Sequence, residues 1–336
     1  MATRGLRVAV TGATGALGTE VLGVLDASQL RIGQLITVAG EASLGEDIEF
    51  QDEIVSVDTE LPALHGLDLV INCAPAAESG EIVRAALRAE VPCVDASGAF
   101  AEHAEVPLAW AASGRAIERA PLLAAPADAA LVWLPVLQAL EGVGELVRVT
   151  GTVLEAASAS GRAGIDALSL ESLALFNQQE IPEDAGIGRP LAFDCHPTSG
   201  DAGAQGRHRE QLLSDVIGRE LTPAPKVSAR WIQVPTFLGQ ASSLCVEFAS
   251  APDAAAAREQ LAKASGLELW EGGGEGPNLR AVSGREVVVV SAPDADAATP
   301  NALRLWAMAD LLRLAAYNAI ALAAGLLEAE APARPH

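Results

Sequence analysis

The amino-acid sequence predicts an α/β protein in two parts: a doubly wound, mainly parallel sheet at the N-terminus, then an α+β unit, with a C-terminal helix that returns to the first part. Three observations predict it. Short Val, Ile and Leu runs alternate with helical patterns through roughly the first 130 residues, and strands alternating with helices build parallel sheets. Past that point the strands lengthen and the alternation stops. The third is a strongly apolar helical stretch from about Leu311 to Leu327, which must bury itself on something. At 336 residues, half of them hydrophobic, the chain exceeds one ordinary core. The division is expected at residues 1–130, completed by helix 309–328, and 131–308.

In chain order, LRVAVTG (6–12), LITVAG (35–40), LDLVINCAP (67–75), VPCVDASG (91–98) and APLLAAP (120–126) are the expected strands of the first sheet. Between the first two, Leu17, Val21 and Leu25 recur at helical spacing with Leu22 beside them, a stripe that packs on a sheet. The crossover is right-handed by default. A helix containing Trp133 opens the second part. The strand ELVRVTGTVLEAAS (145–158), a helix around 162–178, a loop-rich stretch near 179–207 and strands at 226–250 and 285–292 then make a mixed sheet.

Composition narrows the function classes. Lys and Arg total 22 against 44 Asp and Glu, a formal charge of −22, the opposite of a nucleic-acid or anionic-membrane binder. Four cysteines without a CxxC pair and five histidines without HxxxH spacing suggest neither a disulfide framework nor a metal site. The N-terminus runs directly into a strand pattern, which argues against a signal peptide, and no stretch of about 18 uninterrupted apolar residues suggests a membrane span. A cytoplasmic protein is expected.

GATGALG places Gly12, Gly15 and Gly18 between the first strand and the first helix. Gly12 permits the tight turn, Gly15 permits close approach of a pyrophosphate, Gly18 permits helix-to-sheet contact, and the helix N-terminus supplies N–H donors. This is a Rossmann-like dinucleotide turn. Glu41, at the end of the second strand, stands where an acidic residue receives the ribose hydroxyls. The expected cofactor-binding set is Gly12, Thr14, Gly15, Ala16, Leu17, Gly18, Glu41 and Ser43. VAGEASLGED contains no arginine to hold a 2′-phosphate, so NAD is favoured over NADP.

GATGALG, VDASGAF (94–100), QVPTFLGQ (233–240) and ADLLRLAAYNAIALA (309–323) resemble, in order and spacing, motifs of the aspartate-semialdehyde dehydrogenase family. LAFDCHP (191–197) and SASGRAGIDAL (158–168) are similar to segments of its Usg-type paralogues. The resemblance implies a homodimer formed through the second domain. It also implies a reaction in which a thiolate attacks the aldehyde, hydride passes to NADP, and phosphate releases an acyl phosphate. A histidine would serve as acid and base, an arginine would clamp the substrate carboxylate, and a glutamine would position the acyl group.

The residues at those positions differ. The thiol position, within one residue, is Asp128 in AAPADAAL, where a carboxylate is a poor substitute in thioester chemistry and is structurally natural as a helix cap. The glutamine position is Glu155, the arginine position Gln233 and the histidine position Gln240. Glutamine neither clamps a carboxylate by charge nor exchanges a proton near neutrality. Ala42, Ala101 and Ala321 replace three cofactor- or substrate-side residues, while Arg313 and Asn318 match. Cys195 and His196 are adjacent in an extended segment and point to opposite faces; Cys73 and Cys93 lie in apolar strand runs; Cys245 shares a strand face with Glu247. His65, His103, His208 and His336 lie in polar surroundings and are expected to be solvated.

The sequence therefore predicts a family member that has lost phosphorylating dehydrogenation and acts as a dimeric binding or assembly protein, open to a protein partner. An alternative is an NAD(P)-dependent oxidoreductase that needs no cysteine thioester, with Asp128 or Glu155 as acid or base; another is residual aspartate-semialdehyde dehydrogenase activity. With its arginines replaced and two carboxylates added, the cleft is expected to repel anions and prefer a neutral or cationic ligand.

Overall fold

The computed structural model describes residues 4–61, 64–181, 189–198, 209–272 and 276–330. His208, His336 and much of the loop-rich stretch lie outside these residues. The chain divides into two compact units, 1–127 with 315–336, and 128–314.

In the first unit, β1 (Leu6–Thr11) leads through the glycine-rich turn into α1 (Ala16–Ala27) and β2 (Ile32–Val38). Two short strands, β3 (Asp47–Phe50) and β4 (Glu53–Asp58), follow, then β5 (Leu69–Asn72), α2 (Ala76–Arg88), β6 (Cys93–Asp95) and β7 (Leu122–Ala124). The sheet order is β3-β4-β2-β1-β5-β6-β7, parallel throughout except for the β3–β4 pair. Alternate residues of β1 enter two cores. Val8 and Val10 face one that contains Val21 and Leu25 of α1; Ala9 faces another that contains Val83 and Ala86 of α2. A parallel strand covered on both faces needs this unbroken apolar run.

The β3–β4 hairpin escapes the sequence reading. Its two-residue turn is Gln51–Asp52, both at positive φ. That is the geometry of the hairpin turn usually signalled by Asn-Gly or Asp-Gly, here without either pair. His103, expected to be solvated, is instead half-buried, with Nδ1 3.2 Å from Glu105 Oε1 and its ring 5.3 Å from that of Phe100.

The second unit contains α3 (Ala129–Glu141), β8 (Leu146–Glu155), α4 (Gly161–Phe176), β9 (His196–Pro197), α5 (Arg209–Glu220), β10 (Lys226–Gln233), β11 (Gln240–Phe248) and α6 (Ala254–Lys263). After these come β12 (Leu267–Leu269), α7 (Leu279–Val282), β13 (Val288–Val290), β14 (Asp294–Ala295) and β15 (Ala302–Ala309). Among the described residues they form an eight-stranded sheet ordered β12-β13-β15-β11-β8-β10-β9, with β14 on β15. Inward residues Val149, Gly151 and Val153 of β8 are buried on the side where α3 packs. Gly151 is required because a Cβ there would meet the Trp133 ring. Trp133 Nε1 donates to Ser242 Oγ at 2.9 Å, both side chains fully buried. Ser242→Ala strands that N–H and is expected to cost about 1–3 kcal/mol, read as a lower urea midpoint, with Ser242→Thr restoring most of it.

α8 (Leu311–Glu330) ends the described chain. Its stretch Leu311–Ala329 is long and apolar enough to cross a membrane. In the first unit, however, Ala316, Ala319, Ile320, Ala323 and Leu326 join the core of Val8 and Val10, so this is where its apolar face is spent.

Candidate functional site

Each unit holds one group of candidate residues. In the first, the strand order reverses at β1, with β2 on one side and β5 on the other. Such a switch point opens a crevice at the carboxyl ends of the strands, where nucleotides fit. Gly12 lies there at φ +68°, and a Cβ on it would stand 2.5 Å from the Cys73 carbonyl oxygen. Gly18 likewise has no room for a Cβ against the Gly12 carbonyl. Gly15 precedes α1, whose first turn carries no acidic residue and receives no side-chain cap. The uncapped N–H groups of Ala16 and Leu17 suit an anion.

Thr14 Oγ1 lies 2.9 Å from Ser43 Oγ, which joins the turn to the short 3-10 turn Glu41–Ser43 just past β2. Glu41 is exposed there rather than at the end of the strand itself. Beneath the turn, Thr11 Oγ1 donates to Asn72 Oδ1 at 2.7 Å, and Asn72 Nδ2 donates to Asp95 Oδ1 at 2.8 Å. Ser97 Oγ donates to the same Asp95 oxygen at 2.6 Å. Burial pushes the Asp95 carboxyl up, against these hydrogen bonds, which pull it down. The network ties together the ends of β1, β5 and β6, so the turn rests on a braced edge.

In the second unit, Gln240, Glu155 and Gln233 stand side by side on β11, β8 and β10, all buried on the helix-covered face. Asp128 immediately precedes α3 at φ +52°, ψ −139°, a strained backbone for a residue with a side chain, worth about 1–3 kcal/mol. The expected helix cap is not made: no N–H of α3 reaches the Asp128 carboxylate. That carboxylate is instead drawn to stronger donors.

Those donors centre on Arg209, the first residue of α5. Its Nε donates to Asp128 Oδ2 at 3.1 Å, and Nη2 donates to the same oxygen. Nη1 donates to Glu155 Oε1 at 3.0 Å and Nη2 to Glu155 Oε2 at 2.7 Å. Gln240 Nε2 donates to Asp128 Oδ1 at 2.7 Å, and Thr198 Oγ1 to Glu155 Oε1 at 2.8 Å. The guanidinium stacks 4.9 Å from the Trp231 ring centre. Burial works against the Arg209 charge, but Asp128 and Glu155 more than offset it and hold Arg209 above its ordinary range. Gln240 Oε1 is buried without a partner among the described residues, so the need of Asp128 for donors decides which way that amide points.

A cavity of about 250 Å³ adjoins this cluster, lined by Glu155, Ala159, Ser160, Arg189, Thr198, Arg209 and Gln233. Gln233 Nε2 donates to Ser160 Oγ at 3.4 Å. The expected uncompensated acidic cleft is thereby corrected. Among the described residues two carboxylates face two arginines, a formally neutral set, because α5 delivers a cation that the motif positions do not reveal. Arg209 and Arg189 are the functional candidates that the sequence reading missed.

None of the four cysteines lines the cavity. Burial first, then the Asp95 carboxylate, raises the Cys73 and Cys93 thiols. Cys245 lies on the opposite sheet face, also raised by burial. His196 Nε2 is 2.6 Å from the Pro190 carbonyl oxygen and does not serve the exposed Cys195.

Residues 7–118 match the family model of the semialdehyde dehydrogenase NAD-binding domain, and residues 137–314 that of the semialdehyde dehydrogenase dimerisation domain. This chain belongs to the semialdehyde dehydrogenase family. Family members similar to it include the aspartate-semialdehyde dehydrogenase of Rickettsia conorii, 26% identical over 97% of this chain and 98% of that protein. A USG-1 protein homologue of Pseudomonas aeruginosa is 27% identical over 94% and 96%. The crystal structure of aspartate-semialdehyde dehydrogenase II from Vibrio cholerae, 24% identical, superposes with a TM-score of 0.86 over 97% of this chain and 100% of that one, a likeness of fold. The NAD-binding match falls on the unit that carries the glycine-rich turn.

Proposed function

We propose that this family member no longer performs phosphorylating oxidation of aspartate semialdehyde and acts as a dimeric binding or assembly protein in the cytoplasm, with NAD as the nucleotide of its first domain. The observation that carries this reading is Asp128. Where the family resemblance expects an attacking thiol, both carboxylate oxygens are taken by Arg209 and Gln240. A carboxylate so held forms no thioester, and Gln240, at the position of the acid and base, has no proton to exchange. Gln233 offers an amide where a substrate carboxylate would need a cation.

NAD is supported by the exposed carboxylate of Glu41 beside the turn, which suits two ribose hydroxyls and opposes a 2′-phosphate. The dimer is supported by the dimerisation-domain match. The test is an assay of aspartate semialdehyde oxidation with phosphate and either NAD or NADP, followed by the absorbance of the reduced nicotinamide. No turnover above the enzyme-free rate is expected; phosphate-dependent turnover overturns the reading.

A further inference from the structure

The cavity of the second unit has buried groups at its floor, Glu155, Thr198 and Gln233, and exposed ones at its rim, Ser160 and Arg189. Both oxygens of Glu155 are taken, Oε1 by Arg209 and Thr198 and Oε2 by Arg209. Arg209 in turn is committed to Glu155 and Asp128. Arg189 is not. Its Nη2 donates to the Pro197 carbonyl oxygen at 3.4 Å, and no carboxylate pairs with it among the described residues.

The chain beside Arg189 is firmly held. Leu191 and Ala192 are buried in one cluster with Ala157 and Leu168, and their backbone N–H groups donate to Glu171 Oε2 at 2.6 and 2.8 Å. His196 Nε2 lies 2.6 Å from the Pro190 carbonyl oxygen. The Thr198 N–H donates to the Trp231 carbonyl oxygen at 3.0 Å, which ties the far end of the segment to β10. With its neighbours so held, Arg189 gives up less freedom when an anion arrives.

We propose that this cavity seats a small hydroxy monocarboxylate, with its carboxylate on Arg189 and its hydroxyl on the Gln233 amide. The inference rests on the binding reading above and names a ligand class for it. A guanidinium fork matches the two oxygens of a carboxylate. One cation without an ionic partner calls for one negative charge, since a second would stand beside Glu155 with nothing left to meet it. At the floor, Gln233 Nε2 donates to Ser160 Oγ at 3.4 Å, and Oε1, the other end of the amide, has no partner among the described residues. That oxygen can accept from a hydroxyl, as can Thr198 Oγ1, which keeps a free lone pair while donating to Glu155. At about 30 Å³ for each water-sized group, the cavity of about 250 Å³ has room for about eight non-hydrogen atoms. The family resemblance expects an anion clamp at position 233. Here that position holds an amide and the cation comes from the segment before β9, so the seat is this chain's own.

The test is calorimetric titration of the full chain with lactate and 3-hydroxybutyrate. Butyrate, which lacks the hydroxyl, and malate, which adds a second carboxylate, serve as comparators. Wild type is expected to bind at least one hydroxy acid with a Kd below about 1 mM, and both comparators at least about tenfold more weakly. Arg189→Gln, at an exposed position, should leave the far-ultraviolet circular dichroism unchanged and weaken the hydroxy acid at least about tenfold. Arg189→Lys should lose less, and Gln233→Leu should erase the preference over butyrate. Binding of neither hydroxy acid up to roughly 10 mM overturns the assignment, as does unchanged affinity in folded Arg189→Gln, or malate bound as tightly. Turnover in the semialdehyde assay, with the hydroxy acid still bound through Arg189, overturns only the reading above.

Discussion

Arg209→Met is expected to destabilise the second unit by about 3 kcal/mol, the usual consequence of removing one partner from a buried ion cluster. The side chains involved are largely shielded: Arg209 is 21% exposed, Glu155 5% and Asp128 33%. Without the guanidinium, the side-chain donors bonded to the two carboxylates among the described residues are Gln240 and Thr198. At about 2–4 °C per kcal/mol for a unit of this size, the thermal midpoint should fall by roughly 6–12 °C. Arg209→Lys should recover only part of the loss, since a compact ammonium cannot span two carboxylates as a fork does. A midpoint within about 2 °C of wild type would mean that the cluster contributes little.

NADH should bind at least about tenfold more tightly than NADPH, a difference of about 1.4 kcal/mol. The 2′-phosphate brings a second anion against the exposed Glu41 carboxylate, and the adjoining Ala42 offers no cation in return. Glu41→Ala combined with Ala42→Arg is expected to invert the order. Calorimetric titration of both cofactors into wild type and variant checks it. Equal affinities would remove Glu41 as the discriminating residue, and no binding of either up to roughly millimolar would remove the nucleotide from the proposed function.

Much of this protein was legible in its sequence. The strands of the first sheet carry unbroken apolar runs because both of their faces are buried. Gly12 and Gly18 mark a turn that admits no Cβ, and the apolar stripe of α8 had to find a core. Backbone sterics and burial act over a few residues, so they leave a local pattern. Residues 128, 155, 233 and 240 drew notice in the sequence through the family-like frames around them, and the register of β8, β10 and β11 sets three of them side by side.

The charge state of that cluster was decided elsewhere. Arg209 lies 81 residues from Asp128 and 54 from Glu155 in the chain, within a polar stretch that has no motif. The only sequence-level hint was a rule of physics: two carboxylates headed for a buried face require a cation. Which cation answers depends on how α5 packs, and the same packing turned Asp128 away from capping α3. Local periodicity and turn chemistry determined the elements and their glycine hinge; the tertiary structure alone determined which charges meet, because electrostatic partners are chosen by proximity in space and leave no period in the chain.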